Sequence, residues 1–220
     1  MRRATVIKKK SRIPLHERRE RILAMASEFF AEYGLTAQTR ALAHACGISQ
    51  RLLYRCFPSK AALIQEVYRR DIAGPFRATW LAALQDRSRP VSERLNEFYR
   101  EYYQSVLTRR WLRLFLYASL AEIDMAPSYI AEVITHMLEV IVDEACAEHG
   151  VEPPAERALK HELGWLLHGA VSHLAIRRHI YANSNPTPAD AVIAMQVRLF
   201  LAGVAGALPV RSQAGLQVVG

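Results

Sequence analysis

Cysteine is scarce. Cys46, Cys56 and Cys146 are odd in number and widely spaced, which argues against a disulfide framework and for a reducing compartment. No run of about 18 apolar residues occurs, so no membrane-spanning helix is expected. The first residues are basic, but no apolar segment follows them, and no secretory signal is expected. Strand signals are nearly missing as well: there is no Asn-Gly or Asp-Gly hairpin pair and no period-two alternation between turn residues. The chain also lacks a G-x-S-x-G elbow, a phosphate-cradling glycine loop, an H-E-x-x-H pair and a C-x-x-C pair. Nothing positive points to catalysis, and neither enzyme activity nor a cofactor is expected.

What is present is an ordinary globular composition, 51% hydrophobic and 23% charged, with enough apolar residues for a sizeable core. The net charge of +8 is unevenly distributed. Residues 1–60 hold 13 Lys/Arg against 4 Asp/Glu, whereas the remaining 160 hold 16 against 17. All the excess positive charge therefore lies in the first quarter, whose expected partner is a polyanion, either nucleic acid or an anionic membrane surface.

Helical periodicity recurs along the whole chain. In 15–33, Ile22, Ala26, Phe29, Phe30 and Tyr33 share one face, and Gly34 is a natural stop. Short helices follow around 40–45 and 50–57, and a fourth starts after Ser59 with Leu63, Ile64, Val67 and Tyr68 as its stripe. Gly74-Pro75 interrupts the pattern. Long amphipathic segments then cover roughly 92–107, 110–122, 127–149, 154–182 and 187–208. The fold class is all-α with about nine helices, a small basic module preceding a larger bundle. Residues 1–13 and 209–220 have few apolar anchors and read as tails.

The segment Thr39–Phe57, TRALAHACGISQRLLYRCF, meets the demands of a helix-turn-helix. Ala43 is small where two helices cross, Gly47 tolerates positive φ in the turn, and Ser49 can cap the second helix. Leu42, Cys46, Ile48, Leu53 and Phe57 can pin the helices together, which leaves Gln50, Arg51 and Arg55 facing outward.

These residues, with RRERILAMASEFFAEYG (18–34) before them and LLYRCFPSKAALI (52–64) after, resemble the TetR family of bacterial transcriptional regulators. The resemblance covers about residues 15–75; beyond them only helix number and length agree. It implies a basic flexible arm over 1–14 and a DNA-binding domain over 15–75, its helix-turn-helix at about 38–57. An effector-binding and dimerisation domain would follow over 76–208, then a tail. Two departures stand out. The connection from Gly34 to Leu42 is one residue shorter than usual, and Cys56 fills a position commonly held by histidine, removing one expected phosphate contact.

A recognition helix reads base edges with its N-terminal residues. Gln50 and Arg51 are thus the candidates for direct readout, since Arg can bridge guanine and Gln can pair with adenine. Leu52, expected to be exposed, suits either a thymine methyl or ordinary packing. By resemblance Tyr54 reaches a phosphate; Arg55 reaches the backbone or solvent. Thr39 and Arg40 at the start of the second helix, and Lys60 at the start of the fourth, are further phosphate candidates. Lys8, Lys9, Lys10 and Arg12 would lie along DNA or remain solvated. Cys56 lies near the expected DNA face, whereas Cys46 and Cys146 read as core.

Four of the eight histidines, His161, His168, His173 and His179, share one segment at spacings of seven, five and six. None forms the i, i+4 pair of a helix-borne metal site, and no metal is expected. The resemblance implies that the bundle binds a small effector and dimerises. Its candidate lining residues are Phe98, Tyr102, Trp111, Phe115 and Trp165, with His168 as a polar handle, although aromatics at helical spacing equally suit a core. Gly169, Ala170, Ala191, Ala194, Gly203 and Gly206 could let helices of two subunits, or of one chain, approach closely. The expected protein is a cytoplasmic homodimeric regulator, a repressor bound to a palindromic double-stranded operator and released by a small molecule of unknown identity, with no membrane partner. Two alternatives stay open: a ligand-independent regulator or architectural DNA-binding protein, and a helical enzyme or carrier whose basic end contacts anionic lipid.

Overall fold

The computed structural model describes residues 14–121, 126–182 and 186–210. Within them the chain is all helical: α1 (Leu15–Tyr33), α2 (Thr39–Ala45), α3 (Gln50–Cys56), α4 (Lys60–Val67), α5 (Ala78–Leu84), α6 (Val91–Ser105), α7 (Arg109–Leu120), α8 (Ala126–Tyr129), α9 (Thr135–His149), α10 (Arg157–His179) and α11 (Ala189–Ala207). The all-α expectation is met. Helix α4 continues through a π-helical stretch, Tyr68–Ala73, and α8 runs through another, Ile130–Ile134, into α9. The additional helix is α5, a seven-residue piece between Gly74-Pro75 and the polar break at Asp86–Pro90, too short for periodicity to reveal.

The first four helices share a core of Ile22, Ala26, Phe30, Leu42, Leu53, Phe57 and Leu63, all buried. Tyr33 leaves the face expected for it. It is 66% exposed and packs its ring on Phe29, because α1 ends there at Gly34, whose φ is +83°. Arg19 staples α1 to the turn before α4. Its guanidinium lies over the Phe57 ring, donates to the Cys56 carbonyl and pairs with Glu66.

α1 also packs on α7 of the larger bundle, with polar bonds along the seam. Ser27 and Arg70 both donate to the buried Asp71 carboxylate. Arg110 pairs with Glu28 at 2.6 Å, Arg113 donates to the Ala31 and Glu32 carbonyls, and the Trp111 indole donates to the Ile72 carbonyl at 3.2 Å. Deeper in the bundle, Arg94 and Glu144 form an ion pair that is almost wholly buried and ties α6 to α9. Gly164 allows the close approach of α10 to α9, since a Cβ there would sit 2.8 Å from that of Leu138.

The tail expectation is corrected in part. Pro209 and Val210 do not hang free: the Pro209 carbonyl accepts from the Glu152 N–H at 2.9 Å, and Val210 pairs with the buried Val151. Helix α11, by length and composition alone, is apolar enough to cross a membrane, since its window tolerates Asp190 and Arg198. Only 28% of that window is buried inside the chain. Residues 1–13 and 211–220, which hold the basic arm and most of the tail, lie outside the described residues.

Candidate nucleic-acid interface and aromatic core

The turn between α2 and α3 is built as its residues require. Gly47 has φ of +63°, and Ser49 Oγ accepts from the Leu52 N–H at 3.2 Å. A cap of this kind contributes about 1 kcal/mol. Ser59 caps α4 in the same way through the Ala62 N–H. The turn between α2 and α3 thus rests on one left-handed glycine and one capping hydroxyl.

Sequence-predicted interface residues fall into two groups. Arg40, Arg51 and Arg55 are exposed and make no ion pair among the described residues, whereas Arg19, Arg70, Arg94, Arg110 and Arg113 are all bonded elsewhere. Thr39, Gln50 and Tyr54 instead form a small network. Gln50 Nε2 donates to Thr39 Oγ1 at 3.1 Å, and that hydroxyl is 3.0 Å from Tyr54 Oη. Thr39 is buried, so its hydroxyl tethers α2 to α3 rather than facing a phosphate in this state. Gln50 is half-buried by the same bond. Lys60 is half-buried too; desolvation lowers its ammonium, and the nearby Tyr54 partly offsets this.

Two expectations on α3 are corrected. Leu52 is half-buried and packs against the core instead of standing exposed, because its side of α3 faces the neighbouring helices while Arg51, Tyr54 and Arg55 face outward. Cys56 is buried, with its backbone carbonyl engaged by Arg19, and therefore does not lie on the outer face.

In the bundle, the six candidate lining residues come together as one connected aromatic cluster. Phe98 stacks on Tyr102 with centroids 5.5 Å apart; Tyr102 lies 5.5 Å from His168, which lies 5.3 Å from Trp165. Trp111 stacks on Phe115 at 4.8 Å. The two halves join through Tyr129, whose ring meets Trp111 and whose hydroxyl is 3.2 Å from that of Tyr102. Sequence reasoning missed Tyr99, Trp80 and Tyr129. Tyr99 was recoverable, standing four residues after Leu95 on the buried stripe of α6. Tyr129 was not, since it precedes a π stretch where helical periodicity fails.

Burial dominates the chemistry of this cluster. Desolvation pushes the Tyr99 and Tyr102 hydroxyls well above their ordinary range, and Tyr129 up to about 12. The same cause lowers His168 to about 3, so its imidazole is neutral throughout the physiological range. Tyr99 Oη and His168 Nδ1 are both buried without a hydrogen-bond partner among the described residues. Each such orphan costs roughly 1–3 kcal/mol, which marks them as exceptions in a folded core.

The other histidines diverge rather than converge. His161 bonds Glu139, His173 meets Tyr181, and His179 meets Tyr103. Among the described residues, no group of three or more His, Cys, Asp or Glu is arranged to hold a metal. The outer side of α10 and α11 is apolar: Leu166, Met195 and Leu199 are exposed, and Leu166 and Leu199 border a groove of about 380 Å³. A Cβ added at Gly169, Gly203 or Gly206 would meet nothing within 4 Å.

The family profile described as "Bacterial regulatory proteins, tetR family" matches residues 22–67. No curated protein sequence matches the chain. Solved structures share its fold at low identity. A TetR-like transcriptional regulator from Rhodococcus sp. RHA1 superposes with a TM-score of 0.65 at 19% identity, covering 89% of this chain and 100% of its own. A TetR family transcriptional regulator from Thermus thermophilus gives 0.60 at 22%, covering 83% and 97%. A ketosteroid transcriptional regulator of Mycobacterium tuberculosis gives 0.59 at 18%, covering 94% and 100%.

Proposed function

We propose that the chain is a member of the TetR family of bacterial regulatory proteins, a cytoplasmic, homodimeric repressor released from a palindromic operator by a small molecule. Residues 15–75 form the DNA-binding domain in this reading, and 76–208 the effector-binding and dimerisation domain. The arm before them lies along DNA.

The observation that carries the reading is the set of exposed arginines, unpaired among the described residues, on a capped helix-turn-helix. Arg51 enters the major groove at the start of α3 and reads base edges, with Gln50 once it leaves Thr39. Arg40, Tyr54, Arg55 and Lys60 hold phosphates on either side and fix the register. Leu52 helps seat the helix.

Dimerisation is supported by the glycines of α10 and α11. Gly169, Gly203 and Gly206 face open space, so intrachain packing does not account for them, whereas it does account for Gly164. A second copy covering Leu166 and Leu199 would build a four-helix interface and bury the apolar side of α11. That cover also explains the apolarity of α11 without a membrane. The aromatic cluster is the effector site, and its Trp111 bond to the Ile72 carbonyl links it to the helix that carries the DNA-binding domain. An effector favouring a different spacing of the two recognition helices shifts the population away from DNA.

Selection of bound sequences from random duplexes tests the reading. The expected result is an inverted repeat whose half-sites lie about one helical turn, roughly 34–36 Å, or a multiple of that, apart. Binding without any preferred sequence would favour an architectural protein instead.

A further inference from the structure

We propose that the aromatic core between α6, α7 and α10 takes an uncharged aromatic molecule carrying one hydroxyl group, a phenol or aryl alcohol, seated on Tyr99 and His168. This rests on the reading of that core as the effector site.

The two buried orphans, Tyr99 Oη and His168 Nδ1, belong to rings whose centroids are 6.1 Å apart. With the imidazole proton on Nε2, a hydroxyl satisfies both at once: it accepts from the Tyr99 hydroxyl and donates to Nδ1. In that tautomer a ketone, which only accepts, leaves Nδ1 unpaired. Around this seat the walls are flat rings, Tyr102, Trp111, Tyr129 and Trp165, suited to a flat apolar body.

Charge discriminates further. Among the described residues no cation lies over Tyr102, Trp111, Tyr129 or Trp165; Arg77 covers Trp80 at the margin of the cluster and is paired with Glu101, and the other cation–ring pairs fall on Phe57 and Tyr117. The charges nearest the core are already committed, Arg94 to Glu144 and Glu101 to the Trp80 indole and Arg77. A carboxylate or ammonium guest would meet no counter-charge in a desolvated site. Because the rings touch, a guest enters by parting them, as cryptic sites open in a minor conformer.

The test compares 2-naphthol, naphthalene and 2-naphthoate, which share one ring body, by equilibrium dialysis against the full chain. 2-Naphthol should bind at least about tenfold tighter than either of the others. Tyr99→Phe and His168→Phe should each weaken 2-naphthol about tenfold and leave naphthalene unchanged, the loss of one buried hydrogen bond. Tyr99→Phe without ligand should keep its Tm or raise it by about 2–4 °C, because an orphan is removed; this rules out misfolding as the cause. Preferred binding of 2-naphthoate would overturn the hydroxyl seat while leaving the effector reading standing. Failure of all three probes to bind would overturn it too, with operator selection still deciding the DNA-binding reading independently.

Discussion

Arg51 and Tyr54 stand one turn apart on α3, yet the physics assigns them different work. Arg51 is exposed and unpaired among the described residues, whereas the Tyr54 hydroxyl is already held 3.0 Å from Thr39. Losing a bidentate base contact costs about 1–3 kcal/mol on the cognate site and relaxes one base pair per half-site. Arg51→Ala should therefore lower the ratio of operator to random-DNA affinity in a competition titration. Tyr54→Phe should lower both affinities and keep the ratio; the opposite pattern would mean α3 is rotated in the groove. A second residue, His168, makes stability depend on pH. Its folded value of about 3 is below the ordinary 6.5, so folding favours the neutral ring. The contribution is complete above 6.5 and is lost as pH falls toward 3, by up to about 1.4 kcal/mol per pH unit. Glu139, held down to about 2 by Arg157 and His161, weakens the fold only below its ordinary 4.5. His179, also lowered by burial, acts in the same sense as His168. Denaturant melts between pH 6.5 and 5 should thus show a shallower slope for His168→Phe than for the natural chain. Parallel slopes would refute the burial argument.

The helix-turn-helix depends on one backbone angle. At Gly47 a Cβ has room, so substitution is penalised by the positive φ alone and not by a clash. Gly47→Ala should cost about 1–2 kcal/mol and Gly47→Val up to about 3, β-branching being worst in that region. Operator affinity should fall in the same order. Equal affinity for both variants would show that the angle between α2 and α3 does not limit binding. The π stretch at Tyr68–Ala73 is a comparable device at the end of α4: its Ile72 carbonyl accepts from the Trp111 indole, joining α4 to the aromatic core.

Two properties belong to the whole molecule. The first is assembly. Leu166→Glu combined with Leu199→Glu places like charges on the exposed apolar side of α10 and α11, and should give monomers by sedimentation while the helical signal is unchanged. Operator affinity should then drop sharply, since one recognition helix remains per particle; an intact dimer would move the interface elsewhere. The second is long-range charge. Operator binding should weaken with salt at a slope of about −0.9 in log K against log salt for each neutralised phosphate. Removing residues 1–12 should flatten that slope and leave the preferred sequence alone.

Much of this was local and hence legible in the chain. Helical class, the Ser49 and Ser59 caps, the Gly47 turn and the concentration of positive charge before residue 60 depend on neighbours within a few positions. Such features follow from residue type and spacing. Tertiary contacts decided the rest. Which arginines stay free depends on whether a carboxylate or carbonyl from another helix is near, as Glu66 is for Arg19 and Glu144 for Arg94. Leu52 and Cys56 turned inward because α1 covers them, and Thr39 was drawn from the surface by Tyr54, fifteen residues on. Gly164 and Gly203 look alike in sequence, yet one abuts Leu138 and the other opens to solvent. The aromatic core, too, was fixed by four helices meeting, which brought Tyr129 to Trp111 and left Tyr99 Oη and His168 Nδ1 without hydrogen-bond partners among the described residues. Burial and pairing are properties of surfaces distant in the chain, and only packing brings those surfaces together.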